Sequence, residues 1–335
     1  LRLGDFALED FSTQRCKEDG RRESTRSLAE AAFVFAFDDE KMDDEKMGRL
    51  GISCLLFSSF IFSSNSFVEQ PPMTITIDHP LRVLDQDQFG PIAYEVINQA
   101  FAIHKELGRF FDEDVYQNEL LRRLGPRATK EVWIHATHAD FRKAYRVDLL
   151  VDQGALFELK AVQQLNEQHR SQLINYLMLT GLNHGKLINF RPNRIEHEFV
   201  NNHITLAQRR AFQIDVARWS ATTADARRFQ ELLLAMLQDW GTCLDLELYI
   251  DALSHFFGGS ETVIRDVEVR SHGVVVGIQK LRLINDSTAF KLTSLSRDLE
   301  SFESHVQRLL QHTELEEMLW VNITLEEVAF VSVRK

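Results

Sequence analysis

Residues 145–151 and 155–159 are two short apolar runs separated by Asp152-Gln153-Gly154, a turn that folds them back on each other as a β-hairpin. Both strands carry charge where a core strand should carry none: Asp148 in the first, then Glu158 and Lys160 alternating with Phe157 and Leu159 in the second. A period of two puts Glu158 and Lys160 on one face, and the hairpin brings Asp148 to the same spot. Charges placed in strands that otherwise belong in a core need a reason. Two adjoining carboxylates repel each other and attract a hard divalent cation. Mg²⁺ (or Mn²⁺) takes one or two of them and completes its shell with waters and phosphate oxygens. A lysine beside them supplies positive charge next to an attacking water or a phosphorus. The set therefore implies metal-assisted phosphodiester hydrolysis, although acid-x-lysine on a strand also describes an ordinary solvated edge.

The flanking sequence predicts an α/β layer. Apolar residues at three- and four-residue spacings over 91–107 predict an amphipathic helix with Pro91 in its first turn and Gly108 closing it. Residues 112–124 predict a second helix that opens on acids and stops at Gly125-Pro126. A strand is expected over 132–137, a helix over 166–179 and a buried strand over 185–190.

With those elements in place, residues 92–200 resemble the GxxExxY proteins, a branch of the PD-(D/E)XK nuclease superfamily, with Asp148, Glu158 and Lys160 at the motif positions. Further matches are His104 with Glu106-Leu107-Gly108, Glu113 and Tyr116, and Gln172, Asn175 and Tyr176. The resemblance implies a restriction-endonuclease-like core, a mixed sheet flanked by helices, and a metal-dependent nuclease acting on nucleic acid, DNA first. It makes Glu113 a third metal ligand beside Asp148 and Glu158. The alternative for Glu113 is an acid that serves only the helix dipole. Gln172 and Tyr176 are similar to the Gln-x-x-x-Tyr element of RecB-type nucleases and would position substrate; otherwise they form a half-buried helix face. Phe110 departs from the pattern by standing where the family has its name-giving glycine, and Gly108 can supply the unusual backbone angles instead.

Charge narrows the partners. The chain has 38 basic and 50 acidic side chains, a net charge of −12, which excludes wholesale coating of DNA. Residues 73–202 are nearly neutral, with 15 basic against 17 acidic, and Arg122, Arg123, Arg127, Lys130, Arg142, Lys143 and Arg146 cluster before Asp148 as a potential positive rim. Three cysteines far apart offer no zinc ribbon or disulfide framework, and a reducing, cytoplasmic setting is expected. Residues 1–72 show no sustained periodicity and are expected to be a disordered or non-native extension, with Met73 as the functional start. Their apolar run, 51–62, is too short and serine-rich to cross a bilayer, so no membrane association is expected. Only if translation began at Met47 would that run imitate a secretory signal.

An offset of 133 pairs Tyr116 with Tyr249, Gly108 with Gly241, Asp112 with Asp245, Leu150 with Leu283, Phe157 with Phe290 and Asn189 with Asn322, without a gap. The same offset places Leu246, Leu281, Lys291, Thr293, His305 and Leu309 against the six candidate site residues. Residues 73–202 are thus expected to form the nuclease-like domain and 203–335 a degenerate, inactive copy. The two would form an intramolecular pseudo-dimer, with Arg209, Arg210 and Trp219 in a connecting helix; a homodimer is the other arrangement considered. A non-catalytic nucleic-acid-binding or scaffold protein with a retained nuclease fold is the alternative function.

Overall fold

Helices and strands follow one another without long interruption through residues 74–335, the part of the chain that the computed structural model describes. The expectations for residues 1–72 lie outside the described residues. In the first half the order is β1 (Thr74–Ile77), α1 (Gln86–Leu107), α2 (Glu113–Leu124), β2 (Ala128–His138), β3 (Phe141–Val151), β4 (Ala155–Lys160), α3 (Glu167–Thr180), β5 (His184–Asn189) and β6 (Glu196–Asn201). These six strands form one sheet in sequence order. Only β4 and β5 are parallel, and α3 is the crossover that parallel pairing requires. The sheet is therefore mixed and flanked by helices, as expected.

Helix α1 begins five residues before the periodicity suggested. Asp85 accepts from the Gln88 N–H and the Gln88 side chain accepts from the Asp85 N–H, a reciprocal cap that starts the helix at Gln86. Pro91 consequently lies inside the helix, on its solvent side, where water can satisfy the carbonyl left without a donor. Strands β1 and β6, which the sequence reading did not anticipate, close the two edges of the sheet through antiparallel pairing to β2 and β5.

The second half continues with α4 (Leu206–Arg210), β7 (Gln213–Arg218), α5 (Ala224–Trp240), α6 (Leu246–Phe256), α7 (Ser260–Val263), β8 (Ile264–Ser271), β9 (Val274–Arg282), β10 (Thr288–Thr293), α8 (Leu299–Gln311), β11 (Glu317–Ile323) and β12 (Glu327–Arg334). Its main sheet runs β10-β11-β12-β7, and β8 with β9 forms a separate hairpin. Arg209 and Arg210 lie on α4, but Trp219 follows a strand instead of sitting on a connecting helix. The linker is drawn into β7 because the edge of β12 is free to pair with it.

Three apolar clusters set the layers. Helices α1 and α2 cover one face of the six-stranded sheet through Val96, Ala100, Ile103, Tyr116, Leu120, Phe157 and Ile188. The other face, with α3, shares a cluster with α5, α6 and one face of the second sheet, through Leu150, Leu177, Phe229, Trp240, Tyr249, Phe290 and Val321. Helix α8 covers the far face of the second sheet through Val306, Leu310, Met318 and Trp320. Each fully buried large side chain contributes about 1.5–3 kcal/mol, so the shared layer couples the two halves strongly.

Candidate active site

The turn joining β3 to β4 has Asp152 at φ 49° and Gln153 at φ 61°, the paired left-handed residues of a tight hairpin turn. It sets the register Val151–Ala155, Leu150–Leu156, Leu149–Phe157. One step further on, Asp148 and Glu158 face each other. Both are buried, Glu158 with 1% of its surface exposed.

Each group of the site has a distinct anchorage. Asp148 Oδ2 accepts from the Leu159 N–H at 2.8 Å, while its backbone carbonyl accepts from Gln117 Nε2 at 2.7 Å. Glu158 Oε1 accepts from Lys160 Nζ at 2.6 Å. Its other oxygen, Oε2, is buried without a hydrogen-bond partner. After Lys160 the chain is fixed by Asn189, whose side chain accepts from the Val162 N–H and donates to the Val162 carbonyl. Tyr176 Oη accepts from Gln172 Nε2 at 2.9 Å.

These groups are close enough to shift one another's protonation. Burial raises Glu158 to about 8, with the Asp148 charge adding to the effect. Burial also raises Asp148, against the Leu159 N–H and the Lys160 ammonium. Glu113, in the first turn of α2, is raised by burial and feels Lys160, Asp148 and Arg146. The Lys160 ammonium, opposed by burial, is held protonated by Glu158, Glu113 and Asp148. Burial and the neighbouring Glu158 keep Tyr176 protonated up to about 12. The fold thus brings all six expected residues, Glu113, Asp148, Glu158, Lys160, Gln172 and Tyr176, into one locality.

Among the described residues no group of three or more His, Cys, Asp or Glu is arranged to hold a metal ion by itself. The donor set nevertheless fits a hard divalent cation. Two facing carboxylates, one with an orphaned buried oxygen, give the few anionic ligands that Mg²⁺ accepts alongside water and phosphate.

Other expectations change. Most of the clustered bases are engaged: Arg122 and Arg123 pair with Glu119, Arg127 with Glu95 and Asp152, and Lys143 with Asp251, while Lys130 meets Asn118 and Arg142 meets His135 without an acid. Arg146, 3.6 Å from Glu131 and half in solvent, remains beside the carboxylates. Asn175 points away from the site and accepts from the Asp245 N–H of the second half. His104 meets the Pro192 carbonyl, and Tyr116 donates to the Gly108 carbonyl, so both are structural. Gln117 was missed. Its spacing of four from Glu113 on α2 is the signal that places both on the side facing β3.

A family model of the PD-(D/E)XK nuclease superfamily matches residues 91–201, about a third of the chain. No curated protein and no solved structure matches it.

Proposed function

We propose that residues 73–202 form a metal-dependent nuclease of the GxxExxY branch, hydrolysing phosphodiester bonds of nucleic acid, with DNA as the first substrate. The observation that carries this reading is the Glu158 carboxylate. It is buried against Asp148, bonded through one oxygen to Lys160 and unpartnered at the other. Without a cation the facing pair is relieved by a proton shared between Glu158 and Asp148, and a divalent cation would take that proton's place.

Asp148 and Glu158 would hold the cation, with Glu113 as an auxiliary carboxylate. When bound, the cation supplies Lewis acidity and lowers the pKa of coordinated water. Lys160, held in place by Glu158, presents its ammonium to the attacking water and to the charge that builds on phosphorus. Tyr176 already accepts from Gln172, so its own O–H is free to donate to a phosphate oxygen. Because burial raises Glu158 to about 8, metal uptake at neutral pH releases a proton, and affinity rises with pH up to that value.

The test is Mn²⁺ binding to the full chain, followed by calorimetry, together with Mg²⁺-dependent cleavage of labelled single-stranded, duplex and branched DNA. Glu158→Ala should abolish uptake and cleavage, whereas Lys160→Ala should keep uptake and lose cleavage by about 100-fold or more. A folded wild-type protein that takes up no divalent metal is the scaffold, not the enzyme.

We also infer that residues 203–335 are a second copy of the module whose site has been lost. Support comes from bonds that recur at the offset of 133. Tyr116 to the Gly108 carbonyl recurs as Tyr249 to the Gly241 carbonyl, and Thr180 to the Tyr176 carbonyl as Thr313 to the Leu309 carbonyl. The paired bonds of Asn189 to Val162 recur as those of Asn322 to Leu295. The parallel rung Lys160–Asn189 recurs as Thr293–Asn322. In the layers described above, α5 and α6 cover the second sheet as α1 and α2 cover the first. The copies would therefore be stacked head to tail, the outer helices of the second on the α3 face of the first.

A further inference from the structure

The α1–α2 loop, Gly108 to Asp112, is held rigidly beside the site yet presents its largest side chain to solvent. Gly108, at φ 77° and ψ −156°, turns the chain through a region open only to glycine. Tyr116 Oη then ties the loop at two points, donating to the Gly108 carbonyl at 2.9 Å and accepting from the Phe111 N–H at 3.2 Å. Arg191 ties it to the residue that follows Lys160, because its guanidinium donates to the carbonyls of Ala161 at 3.1 Å and Phe111 at 3.3 Å. One end of the loop leads into Glu113, and the other side is clamped next to Lys160.

Within this fixed frame Phe110 is 77% exposed, and Phe111 46%. Phe110 exceeds every other exposed large hydrophobic residue among those described. The Arg109 guanidinium lies 4.9 Å from the Phe110 ring centroid, over its face. At the offset of 133 the same loop reads Thr242, Cys243 and Leu244. There Thr242 and Leu244 are buried and Cys243 is half-buried. The first loop thus keeps an aromatic ring in water, at a hydrophobic cost, where the equivalent loop has smaller side chains and hides them.

We propose that Phe110 is a stacking platform for an unpaired nucleobase, with Arg109 meeting the adjoining phosphate, so that the site takes single-stranded, flapped or frayed nucleic acid. This rests on the nuclease reading and adds the substrate class to it. An aromatic face stacks on any base, whereas the interior bases of a duplex are already stacked on each other. The Arg109 charge follows the backbone without reading sequence. A tied loop is the better platform because little backbone freedom is lost on binding.

The experiment uses the full chain carrying Lys160→Ala, which keeps the carboxylates, with Ca²⁺ in place of Mg²⁺. The probes are a single-stranded oligonucleotide with one 2-aminopurine and the blunt duplex of the same sequence. Anisotropy reads affinity, and 2-aminopurine quenching reports stacking directly. Adding Phe110→Ala should weaken single-strand binding about tenfold or more, remove the quenching and leave the duplex unchanged. Phe110→Tyr should restore both signals, and Phe110→Leu neither. Equal single-strand binding with and without the Phe110→Ala substitution, or rescue by leucine as complete as by tyrosine, overturns the platform. Cleavage by the active wild type, measured alongside, separates the two readings. If it cuts and Phe110→Ala changes nothing, only the platform falls. If no nucleic acid is bound or cut, the nuclease reading falls with it.

Discussion

Among the charged residues buried in the described part of the chain, Glu158, Arg209 and Lys186 are accommodated in three different ways. Glu158 is held by Lys160 through one oxygen and lies against Asp148. Arg209 has no carboxylate; its guanidinium donates instead to the carbonyls of Met178, Trp240 and Thr242. Lys186, buried on β5, has only the Phe199 ring, whose centroid lies 3.3 Å from its Nζ. Burial lowers Lys186 from 10.5 to about 8. The native chain therefore gives up this proton before the unfolded chain does. Between about pH 8 and 10.5 the unfolded state holds more protons, so stability rises with pH across that window, and below it the buried ammonium is a standing cost. Lys186→Met should raise the thermal midpoint below about pH 8, and the gain should shrink toward pH 10.5. A midpoint difference that does not vary with pH would show that the methyl-rich side chain merely packs better.

At the scale of elements, two helix ends solve one problem in different surroundings. Helices α1 and α5 close on Gly108 and Gly241, at φ 77° and 79°, with each cap N–H donating four residues back. A Cβ at Gly108 would meet nothing within 4 Å, whereas one at Gly241 would come within 2.7 Å of Arg209 Cβ. Gly108→Ala should cost the backbone strain alone, about 1–3 kcal/mol. Gly241→Ala should cost more, because Arg209 is pinned by three carbonyls and cannot step aside. Urea denaturation of the two variants measures the difference, and equal losses would mean that the α4–α5 contact is soft. The candidate site was legible at this scale because its three charged groups sit on one hairpin. The period of two and the Asp-Gln-Gly turn place Asp148, Glu158 and Lys160 together before any tertiary contact is known. Glu113 and Gln172 needed the family resemblance, since nothing local says that two helices converge on that hairpin.

For the whole molecule, the decisive feature is the apolar layer shared between halves. The α3 face of the first sheet has no cover of its own besides α3; α5 and α6 complete it. Arg209 binds the layer at its edge by joining the last turns of α3 and α5. Arg209→Met should destabilise the chain by on the order of 3 kcal/mol, since three carbonyls lose a charged donor and stay buried. Truncation after residue 205 should be more damaging, leaving Leu177, Phe141 and Tyr145 uncovered. A truncated chain with a sharp thermal transition and dispersed amide resonances would show instead that the first half folds alone. Among the described residues no helix is long and apolar enough to cross a membrane.

The sequence by itself determined the hairpin, the meeting of its three charged groups and the three helices α1, α2 and α3, because each follows from spacings along the chain. Only the tertiary structure decided which groups remain unpaired. It paired Arg122, Arg123 and Arg127 with acids on their own helix or up to 32 residues away, turned Asn175 toward the second half, left Glu158 Oε2 without a donor and kept Phe110 in water. Pairing and exposure depend on which distant surfaces are brought into contact, and local periodicity carries no record of that.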